Sequence, residues 1–351
     1  MRLSGKALWL LGVALLGVAP AAADTLVDHV RGRTLDQQGN VERFTGMIIT
    51  PEGRVARLLH EGEERPARPD FVLDGHDAAL IPGLVVSHLR LMPLALDSIA
   101  PPQAKRPLPP PRPEDRDLAL ASIQPRLLAQ GVTAVADMGT TIEDWQTYRR
   151  AGDLGRLNIR LVSFADSIAN MVLIAGSGPS PWLYNDRLRL TGLLVETGGT
   201  PKPSIIKIKN QISRAGMDHF QVVVRLDPIS LETKDGQSLA LPPARLDEVT
   251  KAMAELAETY QGDRRWSLAT VPASLPLPTP LEKLPATVRQ HTLDSYGPAA
   301  AQGLFAEERF GRLAKGHWAD FVLLDADPLD VNAPAPRPLS TWIAGRIVWQ
   351  R

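Results

Sequence analysis

Three stretches constrain the fold most: residues 131–137 (GVTAVAD), 158–164 (NIRLVSF) and 220–224 (FQVVV). Each is almost continuously apolar, where a strand with one wet face would alternate. Such runs read as parallel strands covered on both faces. Between and after them lie helical patterns. Leu246, Val249, Met253, Leu256 and Tyr260 fall at helical spacing, and Gly262 sits where a C-terminal cap belongs, so 245–260 is expected to be a helix. A second helix is expected over 116–130, ended by Gly131 and kinked by Pro125. Strands alternating with helices call for an α/β layer or barrel.

The two ends read differently. Residues 44–50 and 54–59 flank the turn Pro51-Glu52-Gly53, a β-hairpin signal, and 71–73 and 78–81 are further strand candidates. Near the C-terminus, 319–325 is a buried-strand run, and 341–343 and 346–349 flank Ala344-Gly345. Two β-rich ends around an α/β middle imply one small β-domain assembled from 24–82 and 310–351, with 83–309 as the other unit. Prolines number 31 in 351 residues, above the usual ~5%, and they cluster. Residues 101–113 hold seven in 13 and 272–285 hold five in 14, reading as extended, semi-rigid connectors.

Residues 1–23 have the pattern of a secretory signal. Arg2 and Lys6 precede the apolar run ALWLLGVALLGVA, which ends at Ala21-Ala22-Ala23 before Asp24. The run is shorter than the ~20 residues that span a bilayer, so export with cleavage after Ala23 is expected rather than a stable membrane anchor. The chain has no cysteine, which excludes disulfides, thiolate zinc sites, iron–sulfur clusters and a cysteine nucleophile. With 39 basic and 39 acidic residues it carries no global field for nucleic acid. Walker A, G-x-G-x-x-G and G-x-S-x-G patterns are all absent; Gly176-Ser177-Gly178-Pro179 reads as a loop.

Residues 81–90 (IPGLVVSHLR) resemble the first barrel strand of the amidohydrolase superfamily, where the strand after a Pro-Gly turn ends in Asp-x-His-x-His. Residues 131–139 resemble its second strand. FGRLAKG at 310–316, leading into ADFVLLDADPL at 319–329, resembles its C-terminal signature. The exported, metal-dependent branch of YtcJ-type and N-substituted formamide deformylase-like proteins is the nearest in kind. The resemblance implies a (β/α)8 TIM-like barrel with a β-sandwich made from both chain ends. It also implies one or two divalent metals, zinc or another, at the C-terminal ends of the strands. Such a metal lowers the pKa of a bound water for attack on a carbonyl.

Taken position by position, the implied ligands are missing. His88 stands at the first histidine of the pair, Arg90 replaces the second and Val86 the preceding aspartate. Leu194 stands at the metal-bridging position, Arg225 at the next histidine and Thr270 at the one after. A guanidinium stays protonated and offers no lone pair. One histidine does not hold a catalytic metal, so no cofactor and no metal-assisted catalysis are expected, and His88 is a vestigial ligand. His29, His60, His76, His219, His291 and His317 show no ligand spacing.

The unit 83–309 is also short, roughly 230 residues against the ~250 of a complete barrel. A shortened or incomplete barrel is expected, its missing strands replaced by the proline text after Thr270. Its open edges need a loop, a helix or a partner chain, so homo- or hetero-oligomers fit this expectation. Three functional readings follow. The chain is a family member without hydrolase activity, serving in binding or scaffolding. Alternatively it is an active hydrolase of non-peptide C–N bonds, using His88 with carboxylates such as Asp137 and Asp227. In the third, Arg90, Arg225 and His88 bind a small anion. Against the third stands pairing of each arginine with an acid such as Asp137, Glu196 or Asp227.

Overall fold

The computed structural model describes residues 24–100, 109–199, 201–226, 229–232, 238–241, 245–260, 262–269, 283, 292–330, 332 and 334–351. Residues 1–23, where a signal is expected, 101–108 of the first proline run, Asp227, Thr270, His291 and 272–285 apart from Lys283 lie outside the described residues.

The N-terminal strands are β1 (Thr25–Leu35), β2 (Val41–Phe44), β3 (Gly46–Ile49), β4 (Val55–Leu59) and β5 (Phe71–Pro82). Next come β6 (Leu84–Leu89), α1 (Leu91–Ile99), α2 (Pro113–Leu128), β7 (Val132–Thr140), α3 (Ile142–Asp153), β8 (Arg160–Ala165), α4 (Ile168–Ala175) and β9 (Leu188–Glu196). They are followed by α5 (Ile205–Met217), β10 (Gln221–Arg225), β11 (Ile229–Glu232), β12 (Ser238–Leu241), α6 (Leu246–Thr259) and β13 (Ser267–Ala269). The chain finishes with α7 (Thr292–Ser295), α8 (Pro298–Gly303), β14 (Phe321–Leu324), β15 (Pro338–Ile343) and β16 (Arg346–Gln350).

Both chain ends enter one eight-stranded sheet of order β16-β15-β14-β5-β1-β3-β4, with β2 on β1. The join is the antiparallel pairing of β14 with β5, Phe321 opposite Pro82. The ends thus meet in a single continuous sheet. The turn at Pro51-Glu52-Gly53 joins β3 to β4, and that at Ala344-Gly345 joins β15 to β16.

The middle forms a six-stranded parallel sheet of order β6-β7-β8-β9-β10-β13. Strands adjacent in the chain are adjacent in space, as in a barrel and unlike a doubly wound sheet. Successive residues point to opposite faces, and both faces are buried. On the outer face Val135, Leu161, Leu193 and Val222 pack with the helices, through Leu120, Ile123, Ile208 and Ile212. On the inner face Ala134, Ala136, Val162, Phe164 and Leu194 pack against Ala300, Ala301, Leu304 and Phe310 from α8 and the loop after it. Double burial explains why these strands read as unbroken apolar runs.

That C-terminal segment also reaches the two outermost strands of the sheet. The Val85 amide donates to the Tyr296 carbonyl at 2.7 Å. Arg265, two residues before β13, donates to the Gln302 carbonyl and pairs with Glu307 at 2.6 Å. Residues 296–307 therefore contact β6 and the segment leading into β13, the two edges of this sheet among the described residues. Gly83 turns the chain from the large sheet into the barrel sheet. A Cβ there would lie 2.2 Å from Thr133 Oγ1, so only glycine allows so close an approach.

Candidate functional site

The C-terminal ends of the parallel strands carry His88, Arg90, Asp137, Glu196 and Arg225. Arg225 is the last residue of β10 and lies in register beside Glu196, the last of β9. Its Nε donates to Glu196 Oε2 at 2.5 Å, and its Nη2 contacts the same oxygen. Arg90, the residue before α1, brings Nη1 to 4.0 Å from Glu196 Oε1. Two strands, β7 and β8, separate β6 from β9 in the sheet order. The Arg90–Glu196 approach therefore crosses the mouth of a curled sheet.

The mouth is thus spanned by two guanidinium groups sharing one carboxylate. Glu196 was legible in the sequence only as one of several nearby acids. Its place at the final residue of a strand is the signal that marks it.

His88 does not join this group. Its Nδ1 meets Ser87 Oγ at 3.2 Å, and its Nε2 is buried without a hydrogen-bond partner. Burial pulls the imidazole pKa below its ordinary value, so the ring is neutral at pH 7.

Asp137 serves the outer side of its strand. Its Oδ1 accepts the Leu91 amide at 2.8 Å, satisfying a donor at the start of α1. Its Oδ2 accepts from Thr140 Oγ1 at 2.7 Å and from Tyr148 Oη at 2.8 Å. Burial pushes its carboxyl above the usual range, against the pull of these donors. Asp144 lies close by, in contact with Arg116 and capping α3 through the Thr141 amide at 3.1 Å. Burial, reinforced by the Asp137 charge, pushes Asp144 up to about 6.

These residues do not fit a catalytic metal. Among the described residues no three His, Asp or Glu side chains converge where a metal ion could be held. His88 offers one imidazole nitrogen, both oxygens of Asp137 are engaged on the helix side, and Arg90 and Arg225 bring cationic side chains to the same strand ends. A zinc site needs three such donors and an open position.

The other described histidines lie elsewhere. His29 pairs with Asp74, His60 with Glu42 and Glu63, and His76 with Asp74; His219 is exposed. His317 meets the Glu307 carbonyl through Nε2 at 2.7 Å. No helix among the described residues is long and apolar enough to cross a membrane.

At the opposite end of the parallel strands, Arg160 opens β8 fully buried. It makes a bidentate pair with Asp320, Nε–Oδ2 2.5 Å and Nη2–Oδ1 2.8 Å. Its Nη1 donates to the carbonyls of Asn185 and Asp186, and its guanidinium lies 4.8 Å from the Trp318 ring centroid. Asp320 Oδ1 also accepts the Ala344 amide at 2.9 Å. Every charge in this pair has a partner, and the pair ties the barrel sheet to the eight-stranded sheet.

Residues 279–349 match the sequence model of the Amidohydrolase family. A comparison with curated protein sequences returns no match. Among solved structures, an uncharacterized metal-dependent hydrolase from Pyrococcus furiosus is similar at 14% identity. That match has a TM-score of 0.60 and covers 88% of this chain and 100% of that one. A triazine hydrolase from Arthobacter aurescens is 16% identical, TM-score 0.61, covering 93% and 95%. A zinc-bound adenosine deaminase from Xanthomonas campestris is 15% identical, TM-score 0.58, covering 94% and 93%. At these identities the likeness to the solved structures is one of fold. The family match is confined to the C-terminal part of the chain, and over the rest the likeness is one of fold.

Proposed function

We propose that this protein is an exported amidohydrolase-superfamily member that has lost metal-dependent hydrolysis and acts by binding or scaffolding. The supporting observation is the Arg90–Glu196–Arg225 group across the mouth. Two fixed positive charges stand where a divalent cation would need electron-pair donors, and the one carboxylate is committed to them. On this reading the chain belongs with the exported formamide deformylase-like branch, is cleaved after Ala23 and works in the periplasm or outside the cell. Its barrel is shortened, and its terminal strands belong to the β-sandwich of that branch.

The competing reading, an active C–N hydrolase using His88 with Asp137, meets the commitment of both Asp137 oxygens to Leu91, Thr140 and Tyr148. The test is turnover of formamides, cyclic ureides and N-acyl amino acids by the chain from Asp24 onward, with and without added zinc, beside His88→Ala. The expected outcome is no turnover above background for either protein. Turnover that His88→Ala abolishes would overturn the proposal.

A further inference from the structure

A cleft of about 770 Å3 opens between α1 and α2 beside the barrel mouth. This volume lies in the range of small-molecule sites, roughly 300–1,000 Å3. Met92, Pro93, Leu96 and Ile99 of α1 form one wall, and Pro109, Pro110 and Pro111 form another. Proline loses little freedom on ordering, so this apolar lining is largely pre-formed.

The polar end holds Arg90, Arg116, Asp144 and Gly139, with Asp97 and Asp115 on the rim. The acids are engaged: Asp144 with Arg116, Asp115 with Arg112, and Asp97 in an interaction of its own. Arg90 is the exception. Its Nη1 only approaches Glu196, at 4.0 Å, and its Nε is buried without a hydrogen-bond partner. The Arg90 charge is therefore weakly paired, and the exposed third of its side chain can take an acceptor from the cleft. A Cβ on Gly139 would lie 3.3 Å from Arg90 Nη2 and 3.5 Å from Nε, and the Gly139 φ of +94° disfavours any side chain. Glycine thus lets the backbone pack close over the Nε edge, while the part of the Arg90 side chain that stays exposed lines the cleft.

The geometry points to this cleft as the binding site for a small organic acid with an apolar body, its carboxylate taken by Arg90 and its chain laid along α1. A guanidinium edge matches a carboxylate with two parallel donors. The site adjoins the barrel mouth through Arg90 and does not depend on the loss of the metal site.

Isothermal titration and thermal melts of the chain from Asp24 onward, with octanoate, 1-octanol and acetate as probes, test it. Octanoate is expected to bind and raise Tm, with octanol and acetate each about tenfold weaker or more. Arg90→Gln should bring octanoate down to the level of octanol. Pro93→Asp should weaken octanoate and octanol alike. Position 93 is the third residue of α1, where aspartate suits a helix N-terminus, so this variant keeps its fold. No octanoate binding, octanol or acetate equal to octanoate, or an octanoate response unchanged in either variant would each overturn the assignment.

Discussion

The two ends of the parallel sheet pair their charges differently, although each holds a buried donor without a partner, Arg187 Nη1 at the N-terminal end. At the N-terminal end, Arg160 and Asp320 are fully buried and bidentate, and their remaining groups meet the Asn185 and Asp186 carbonyls and the Ala344 amide. At the C-terminal end, Arg90 and Arg225 share Glu196 at the surface, while His88 Nε2 and Arg90 Nε are buried without partners. In a barrel the first end serves stability and the second serves chemistry. The family sequence match falls at 279–349, which includes Asp320 and the strands at the stable end. On the proposed function, the scaffold keeps its requirements while the mouth is released from those of a metal.

The comparison breaks first if the stable end is not stabilising. Asp320→Ala strands a buried guanidinium and should cost about 3–5 kcal/mol in urea unfolding. A loss below about 1 kcal/mol would mean the pair adds nothing over solvent-exposed ones.

Asp144 comes next. Its folded pKa of about 6 lies above the ordinary ~3.9 of an unfolded aspartate, so the folded state holds the proton more tightly. Its contribution is fully present below pH ~3.9 and is lost as pH rises through about 6, by up to about 3 kcal/mol. Stability of the native chain relative to Asp144→Asn should therefore fall across that window in pH-dependent melts. A flat difference would show that Arg116 holds the carboxylate ionised throughout.

Glu196→Gln should cost less, about 1–2 kcal/mol, because the mouth is partly solvated. A cost equal to that of Asp320→Ala would erase the contrast between the ends.

The smallest effect belongs to His88. Burial depresses its pKa, so its contribution is present above the unfolded value of ~6.5 and is lost as pH falls through the lower folded value. His88→Gln should change stability at pH 7 by less than about 1 kcal/mol and remove that part of the acid sensitivity, as read by melts on either side of pH 6.

The stable end was also the more legible in sequence. Strands β7, β8 and β10 announced themselves as unbroken apolar runs because both their faces are buried, and α6 because its apolar residues keep one face. Helix α2 runs through Pro125 with its C-terminus at Leu128, close to the stop marked by Gly131. Helix α1 carries no such signal. LMPLALDSI is apolar on most sides and contains Pro93, so periodicity does not single it out.

The site was legible residue by residue and not as an arrangement. His88, Arg90 and Arg225 follow from aligned strand ends, but the meeting of Arg90 with Glu196 depends on the curl of four strands. Proline spacing at 109–111 reads as a connector, since an extended proline run does not reveal what it packs against. The cleft wall is therefore visible only once α1 and α2 are in place.

The central claim is that the mouth no longer holds a catalytic metal. Plasma mass spectrometry of the chain from Asp24 onward, purified by gel filtration without chelator, tests it most directly. The account predicts folded protein with far less than one divalent metal per chain. A stoichiometric divalent metal, retained through gel filtration and lost in His88→Ala, would contradict it.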